Sequence, residues 1–329
     1  MIARGNLDPG CYPARMSAVP RVSILLPFRN AAPTLNAAIE SIAAQTFKDW
    51  ECLLINDGSE DGGGAVAERW RRSDARFRRI EIHTSMGIAI ALETDPHAGA
   101  IGCLARVPEP TTDGMRRYLR WLAACADPVT ARREIWVESP IIHPTAIIRS
   151  AALARVGGYR DLGWPEDYDL WLRLHRAGYT VRAIPESLYE WRDRSDRLSR
   201  VDARYSTSAF LRCRVHHLRR WLSEAGQAER PLVIWGAGRD GKRFARAWEE
   251  ERERSGPDVQ PVEAFVDIDP RKIGRSRRDR RILSWDEASR IDPRPFVLAA
   301  VGIEGARDRI RPVLQASGFD EERDFLCVH

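Results

Sequence analysis

The sequence predicts an α/β chain built from two parallel-sheet domains, and three observations carry that prediction. Apolar runs of strand length alternate with helical stripes from Val22 to Val328. Two runs end in polar or glycine-rich turns, Asn56-Asp57-Gly58-Ser59 and Gly236-Ala237-Gly238, as strands do where an α/β sheet meets its ligand. The length of 329 residues suits two domains. With 43% hydrophobic and 30% charged residues, the chain has enough apolar surface for packed cores, which excludes wholesale disorder. No run approaches the roughly 18 apolar residues of a membrane span. The N-terminus lacks the apolar segment of a secretory signal. Six scattered cysteines without a C-x-x-C pair argue against a disulfide framework or a structural zinc site. A cytoplasmic setting is expected.

The elements follow in order. Residues 1–20 read as a loose tail. Val22–Leu26 is a buried strand stopped by Pro27, and a helix starts at Pro33 with Leu35, Ile39, Ile42 and Ala43 on one face. Glu51–Ile55 is the next strand, which completes a strand–helix–strand unit with Asp57 at its carboxyl end. Strands are expected at Arg79–Ile82 and Ala98–Leu104, then an interrupted strand over Ile141–Arg149 and a short helix closed by Gly157-Gly158. Glu166–Ala177 is an amphipathic helix ending at Gly178, and Thr180–Ile184 is a strand. Thr207–Ala225 is a long helix within a linker over 201–229. A second α/β domain, 230–329, has strands at Leu232–Trp235, Val262–Val266, Phe296–Val301 and Phe325–Val328.

Three segments carry a family resemblance: VSILLPFRN, ECLLINDGS, and HPTAIIRSAALARVGGYRD with WPEDYDLWLRL. Together, over residues 21–200, they resemble a family 2 glycosyltransferase of the GT-A fold. The resemblance implies inverting transfer of a sugar from a nucleotide-diphospho-sugar to an acceptor hydroxyl on a glycan or lipid-linked substrate. It implies that Pro27, Phe28 and Arg29 pack on the nucleotide base and that Asp57 accepts a hydrogen bond from it. Asn56 stands where the family usually has a first aspartate. Glu166 and Asp167 match the acidic pair whose aspartate takes the acceptor proton, a role that needs a carboxylate within about 3 Å of the hydroxyl. The plain alternative is that Glu166, Asp167 and Asp169 only favour a helix N-terminus. His143, before Pro144, falls on the acceptor side, where Trp164 is the candidate for sugar contact. Trp171 reads as core. His216 and His217 are neighbours on one helix and cannot share a face as a metal pair would.

The chain departs from the family near residues 83–95, where several tens of residues are missing. That stretch normally ends a strand in an Asp-x-Asp motif holding Mg²⁺ or Mn²⁺, and no such motif stands here. The only literal Asp-x-Asp is Asp267-Ile268-Asp269, in the other domain. The cation is expected from the family, but its ligands are not found. Impaired transfer and an inactive nucleotide-sugar-binding relative both stay open.

Gly236, Gly238 and Gly241 form a G-x-G-x-x-G between a strand and a helix, with Asp267 ending the next strand. This is the pattern of a Rossmann-like domain binding a nucleotide or NAD(P). Glycines used only for packing, and an oxidoreductase, are the alternatives. The net charge of +5 is local, because residues 271–281 alone carry +6. That cluster reads as a solvated loop or as a peripheral contact with an anionic membrane face. No nucleic-acid-binding signature accompanies it.

Overall fold

A computed structural model describes residues 20, 22–56, 58–81, 98–107, 112–191, 201–256 and 260–329. The chain divides into two compact units, Met1–Thr94 and Asp95–His329.

In the first unit β1 (Val22–Phe28), β2 (Trp50–Asn56) and β3 (Phe77–Glu81) form a parallel sheet in that order. Helices α1 (Ala32–Ala43) and α2 (Gly63–Ser73) supply the crossovers. The α1 stripe buries Leu35 and Ile39 against Trp50, Cys52, Leu54 and Phe77. Helix α2, which the sequence reading left out, is polar on most sides and buries only a narrow strip around Ala67 and Trp70.

The second unit opens with β4 (Ala98–Arg106), α3 (Asp113–Ala124) and α4 (Pro128–Glu134). The expected strand over Ile141–Arg149 is a 3₁₀ turn at His143–Thr145 followed by a two-residue β5 (Ile147–Ile148). Pro144 removes a backbone donor, so pairing begins only beyond it. Then come α5 (Ser150–Arg155), α6 (Glu166–Arg176) and β6 (Thr180–Glu190). Strand β4 lies between β5, antiparallel, and β6, parallel.

Helix α7 (Thr207–Glu224), expected as a linker, is packed from both sides. Cys213, Val215, Leu218 and Leu222 are buried. Arg214 donates to the Val328 carbonyl at 2.7 Å, to the Tyr168 hydroxyl at 3.2 Å, and to the Val137 carbonyl. Arg219 donates to the Gly256 carbonyl at 2.8 Å.

The last hundred residues contain β7 (Leu232–Trp235), α8 (Arg239–Ser255), β8 (Val262–Val266), β9 (Ser276–Arg277), β10 (Arg280–Leu283), α9 (Trp285–Ala288), β11 (Phe296–Ala299), α10 (Ala306–Ala316) and β12 (Phe325–Cys327). The sheet runs β12-β11-β7-β8-β10-β9, parallel except for β9. Taking the parallel strands in chain order, this is the 3-2-1-4-5 arrangement of doubly wound dinucleotide-binding sheets. Strands β7 and β11 are buried along their whole length, as parallel strands covered on both faces are. The cationic cluster 271–281 runs from a turn into the β9–β10 hairpin, with positive φ at Arg278 and Asp279. Its arginines line the sheet's edge, where charge discourages pairing with another chain. Among the described residues no helix is long and apolar enough to cross a membrane.

Candidate active site

At the carboxyl ends of β1 and β2, two loops are laced together by short polar side chains. Asn30, at φ +48°, accepts the Glu60 N–H at 2.9 Å, and Ser59 Oγ accepts the Asn30 N–H at 3.1 Å. Asp61 accepts the N–H groups of Ala32 at 2.7 Å and Gly63 at 3.0 Å, at the starts of α1 and α2. These bonds hold its carboxyl below the usual range. Asn56 is buried and accepts the Ser59 N–H at 3.0 Å. Pro27 lies inside β1, and Arg29 is exposed just beyond its end. Phe28, expected against a nucleotide base, is instead a core side chain facing Gly63, where an added Cβ would lie 3.3 Å from its ring. Asp57 and residues 82–97 lie outside the described residues. Sequence reasoning passed over Asn30 and Asp61, although short polar residues after a strand are a known turn signal.

The start of α6 gathers a second set. Pro165 precedes three first-turn carboxylates, Glu166, Asp167 and Asp169, placed where the helix dipole favours negative charge. Glu166 is buried, and its Oε1 accepts the Tyr205 hydroxyl at 2.6 Å. Its Oε2 is also buried and has no hydrogen-bond partner among the described residues. Asp167 Oδ1 accepts the Tyr168 N–H at 2.7 Å, while Oδ2 lies 3.7 Å from His143 Nδ1. His143 Nε2 is 2.9 Å from the Tyr159 hydroxyl. Burial and then the Asp167 and Glu166 charges push Tyr159 and Tyr205 up, so both remain hydroxyl donors. The His143 ring thus lies between the Tyr159 hydroxyl, at its Nε2, and Asp167, on its Nδ1 side. Tyr159 and Tyr205 escaped sequence reasoning because nothing local marks them.

Asp169 has a different fate. Its Oδ1 accepts the Trp164 indole N–H at 3.2 Å and His217 Nε2 at 2.9 Å, and Oδ2 accepts Arg173 Nε at 2.7 Å. Burial opposes the Asp169 charge, but these partners more than offset it and hold the carboxyl at about 2. Burial lowers His217 to about 4, so it is a neutral donor whose Nδ1 takes a bond from Arg176 at 3.2 Å. Trp164, expected to contact sugar, is thus a buried member of this network, with its ring 5.2 Å from His216. His216 turns the other way, to Glu251 at 2.8 Å.

Asp169, Cys213 and His217 are the one group of three potential metal ligands close together among the described residues. They do not fit a catalytic cation. The carboxylate is saturated by protein donors that include a guanidinium, and the Cys213 thiol is pushed well up by burial. The literal Asp267-x-Asp269 fits no better, because Lys272 pairs with Asp267 at 2.9 Å and Arg271 with Asp269 at 3.1 Å.

In the glycine loop after β7, two of three glycines are demanded by the fold. Gly236 has φ +116°, and an added Cβ would lie 2.8 Å from Val301. At Gly241 a Cβ would fall 1.7 Å from the Gly236 carbonyl oxygen. Gly238 faces open space and has an ordinary φ of −80°. Asp267 is buried, and its Oδ2 accepts the Ala237 N–H at 3.1 Å as well as Lys272, while Oδ1 accepts the Asp269 N–H at 3.0 Å. The carboxylate at the end of β8 therefore satisfies an amide of the glycine loop.

Residues 23–94 match Glycosyl transferase family 2. EpsE of Bacillus subtilis (strain 168) is 27% identical over 253 residues, 66% of this chain and 90% of EpsE. The uncharacterized glycosyltransferase EpsJ of the same organism is 42% identical over 62 residues, 19% of this chain and 18% of EpsJ. The O-antigen biosynthesis protein RfbC of Myxococcus xanthus is 26% identical over 256 residues, 67% of this chain and 20% of RfbC. Among solved structures, the mannosyltransferase PcManGT of Pyrobaculum calidifontis, in complex with GDP-Man and Mn²⁺, overlaps 73% of this chain and 77% of its own, at 18% identity and a TM-score of 0.42. The first parallel sheet thus matches the family 2 glycosyltransferase model, and the chain is similar to EpsE along most of EpsE's length.

Proposed function

We propose that the chain transfers a sugar from a nucleotide-diphospho-sugar to a glycan hydroxyl in polysaccharide synthesis, with inversion and with Asp167 as the general base. The observation that carries the assignment is the contrast within α6. Asp167 keeps Oδ2 free of any hydrogen bond among the described residues, while Asp169 two positions later is saturated. A base needs an oxygen that is ionised and available. The acceptor oxygen attacks the anomeric carbon as its proton passes to Asp167 Oδ2. The bond from that carbon to the diphosphate oxygen breaks, and the leaving group takes the electron pair. One displacement inverts the centre. His143, bonded to Tyr159, stands 3.7 Å from Asp167 Oδ2, and Tyr205 fixes Glu166 on the same helical turn.

In this reading Asp57 and Arg29 serve the donor end. A divalent cation would neutralise the leaving diphosphate, but the described residues do not supply its ligands, so no step is assigned to it. The protein would act in the cytoplasm on a soluble or lipid-linked glycan. The test is product stereochemistry. Nucleotide release from UDP-, GDP- and dTDP-sugars is followed together with the anomeric proton coupling of the product. An anomer opposite to the donor's is expected, and retention would overturn the single displacement.

A further inference from the structure

The strand order of the C-terminal sheet directs attention to its switch point, between β7 and β11, where the chain leaves in opposite directions and a crevice opens at the carboxyl ends. A cavity of about 440 Å³ lies on that side. Its volume is within the range of about 300–1,000 Å³ usual for small-molecule sites. One wall comes from the C-terminal sheet's own helices and tail, through Asp240, Arg243, Phe244, Arg307 and His329. The facing wall comes from α7 and the segment before it, through Tyr205, Phe210 and Arg214, together with Glu138.

That facing wall leads to the catalytic carboxylates. Tyr205 lines the cavity and donates its hydroxyl to Glu166 at 2.6 Å. Glu138 lines it too, and the Asp167 charge is among the influences raising its carboxyl, after burial. Arg214 makes the wall rigid, since its guanidinium bonds at once to the Tyr168 hydroxyl, the Val137 carbonyl and the Val328 carbonyl. The lining also has a definite chemistry. Aromatic faces of Tyr205, Phe210 and Phe244 stand beside carboxylates and guanidinium groups, the pairing that suits a ring with apolar C–H faces and a rim of hydroxyls. Arg243, exposed at the rim, has no hydrogen bond or ion pair among the described residues, so its donors are available to a guest.

We infer that this cavity is the acceptor subsite, that its guest is a sugar unit of the acceptor glycan, and that the C-terminal sheet supplies half of it. The inference rests on the glycosyl-transfer reading above. It makes the C-terminal domain a specificity element, so that exchanging it would change the acceptor and leave the donor sugar unchanged.

The experiment uses the full chain, a panel of UDP-, GDP- and dTDP-sugars, and p-nitrophenyl glycosides of glucose, galactose, mannose and N-acetylglucosamine as acceptor probes. Nucleotide release is measured with and without each glycoside. For a glycoside that stimulates release, Arg243→Ala is expected to raise its KM about tenfold or more, the loss of a charge-assisted hydrogen bond, with kcat within about twofold. Arg243→Lys should recover part of the loss. Thr207→Trp, an exposed position on the lining, should abolish stimulation by bulk alone. Unchanged acceptor KM in both Arg243→Ala and Thr207→Trp overturns the cavity while leaving glycosyl transfer intact. So does a wild type that hydrolyses donor but is neither stimulated by any glycoside nor shows saturation transfer to one. A wild type that releases nucleotide from no donor overturns the glycosyl-transfer reading itself, and the subsite with it.

Discussion

The start of α6 and the end of β8 both present carboxylates, and they hold them in opposite ways. Asp167 is bonded through one oxygen and offers the other, with a histidine 3.7 Å away. Asp267 has both oxygens engaged, by two backbone amides and Lys272. The first arrangement leaves capacity for a proton, and the second locks a loop. The difference shows that an acidic residue at a strand or helix end says little until its partners are counted. Asp169 makes the same point inside α6, where three donors turn a motif residue into a structural one.

The largest expected effect is at that structural carboxylate. Asp169→Ala leaves Arg173 buried without its counter-ion, and breaking such a pair costs about 3–5 kcal/mol. Urea unfolding should register it, and a loss below about 1 kcal/mol would remove the distinction drawn between Asp169 and Asp167. Next is Gly241→Ala, whose methyl would press on the Gly236 carbonyl at 1.7 Å and should cost about 1–3 kcal/mol or more. Gly238→Ala, which meets nothing, should stay within about 0.5 kcal/mol of wild type. Equal losses at the two glycines would contradict the loop geometry.

Acid should act through the buried histidines. Burial holds His175 and His217 at about 4, below the ordinary value of 6.5, so the unfolded chain takes up protons that the folded chain refuses. Stability is therefore full above about pH 7 and falls as pH drops from about 6.5 to about 4, by about 1.4 kcal/mol per pH unit for each histidine. His175→Phe should remove one histidine's share of that slope. A modest effect is expected at Asp267→Asn, which weakens the Lys272 pair but keeps an oxygen for the Ala237 amide. A loss of about 1 kcal/mol with unchanged nucleotide release fits a loop-locking role, and loss of release would make Asp267 part of a ligand site.

Much of this was legible in the sequence. The α1 stripe of Leu35 and Ile39 and the β7 run Leu232–Trp235 announced parallel sheets, because periodicity reports burial directly. The order of motifs placed Asp167 at a helix start. What stayed hidden depends on contacts distant in sequence. Tyr205 reaches Glu166 across 39 residues, and Arg214 reaches Val328 across 114. Trp164 read as a sugar platform because an aromatic beside an acidic pair has no local sign of burial. Helix α2 hid behind its polar composition, and the hairpin β9–β10 behind its charge.

The central claim is that Asp167, and not its saturated neighbour, takes the acceptor proton. Asp167→Asn keeps shape and removes the base. The most direct measurement is transfer by this variant to the p-nitrophenyl glycoside that best stimulates the wild type, with donor affinity measured alongside by calorimetry. The account predicts kcat lower by about 10²–10⁴ with donor affinity unchanged. Transfer within about threefold of wild type would contradict it, since general-base catalysis is worth far more than that.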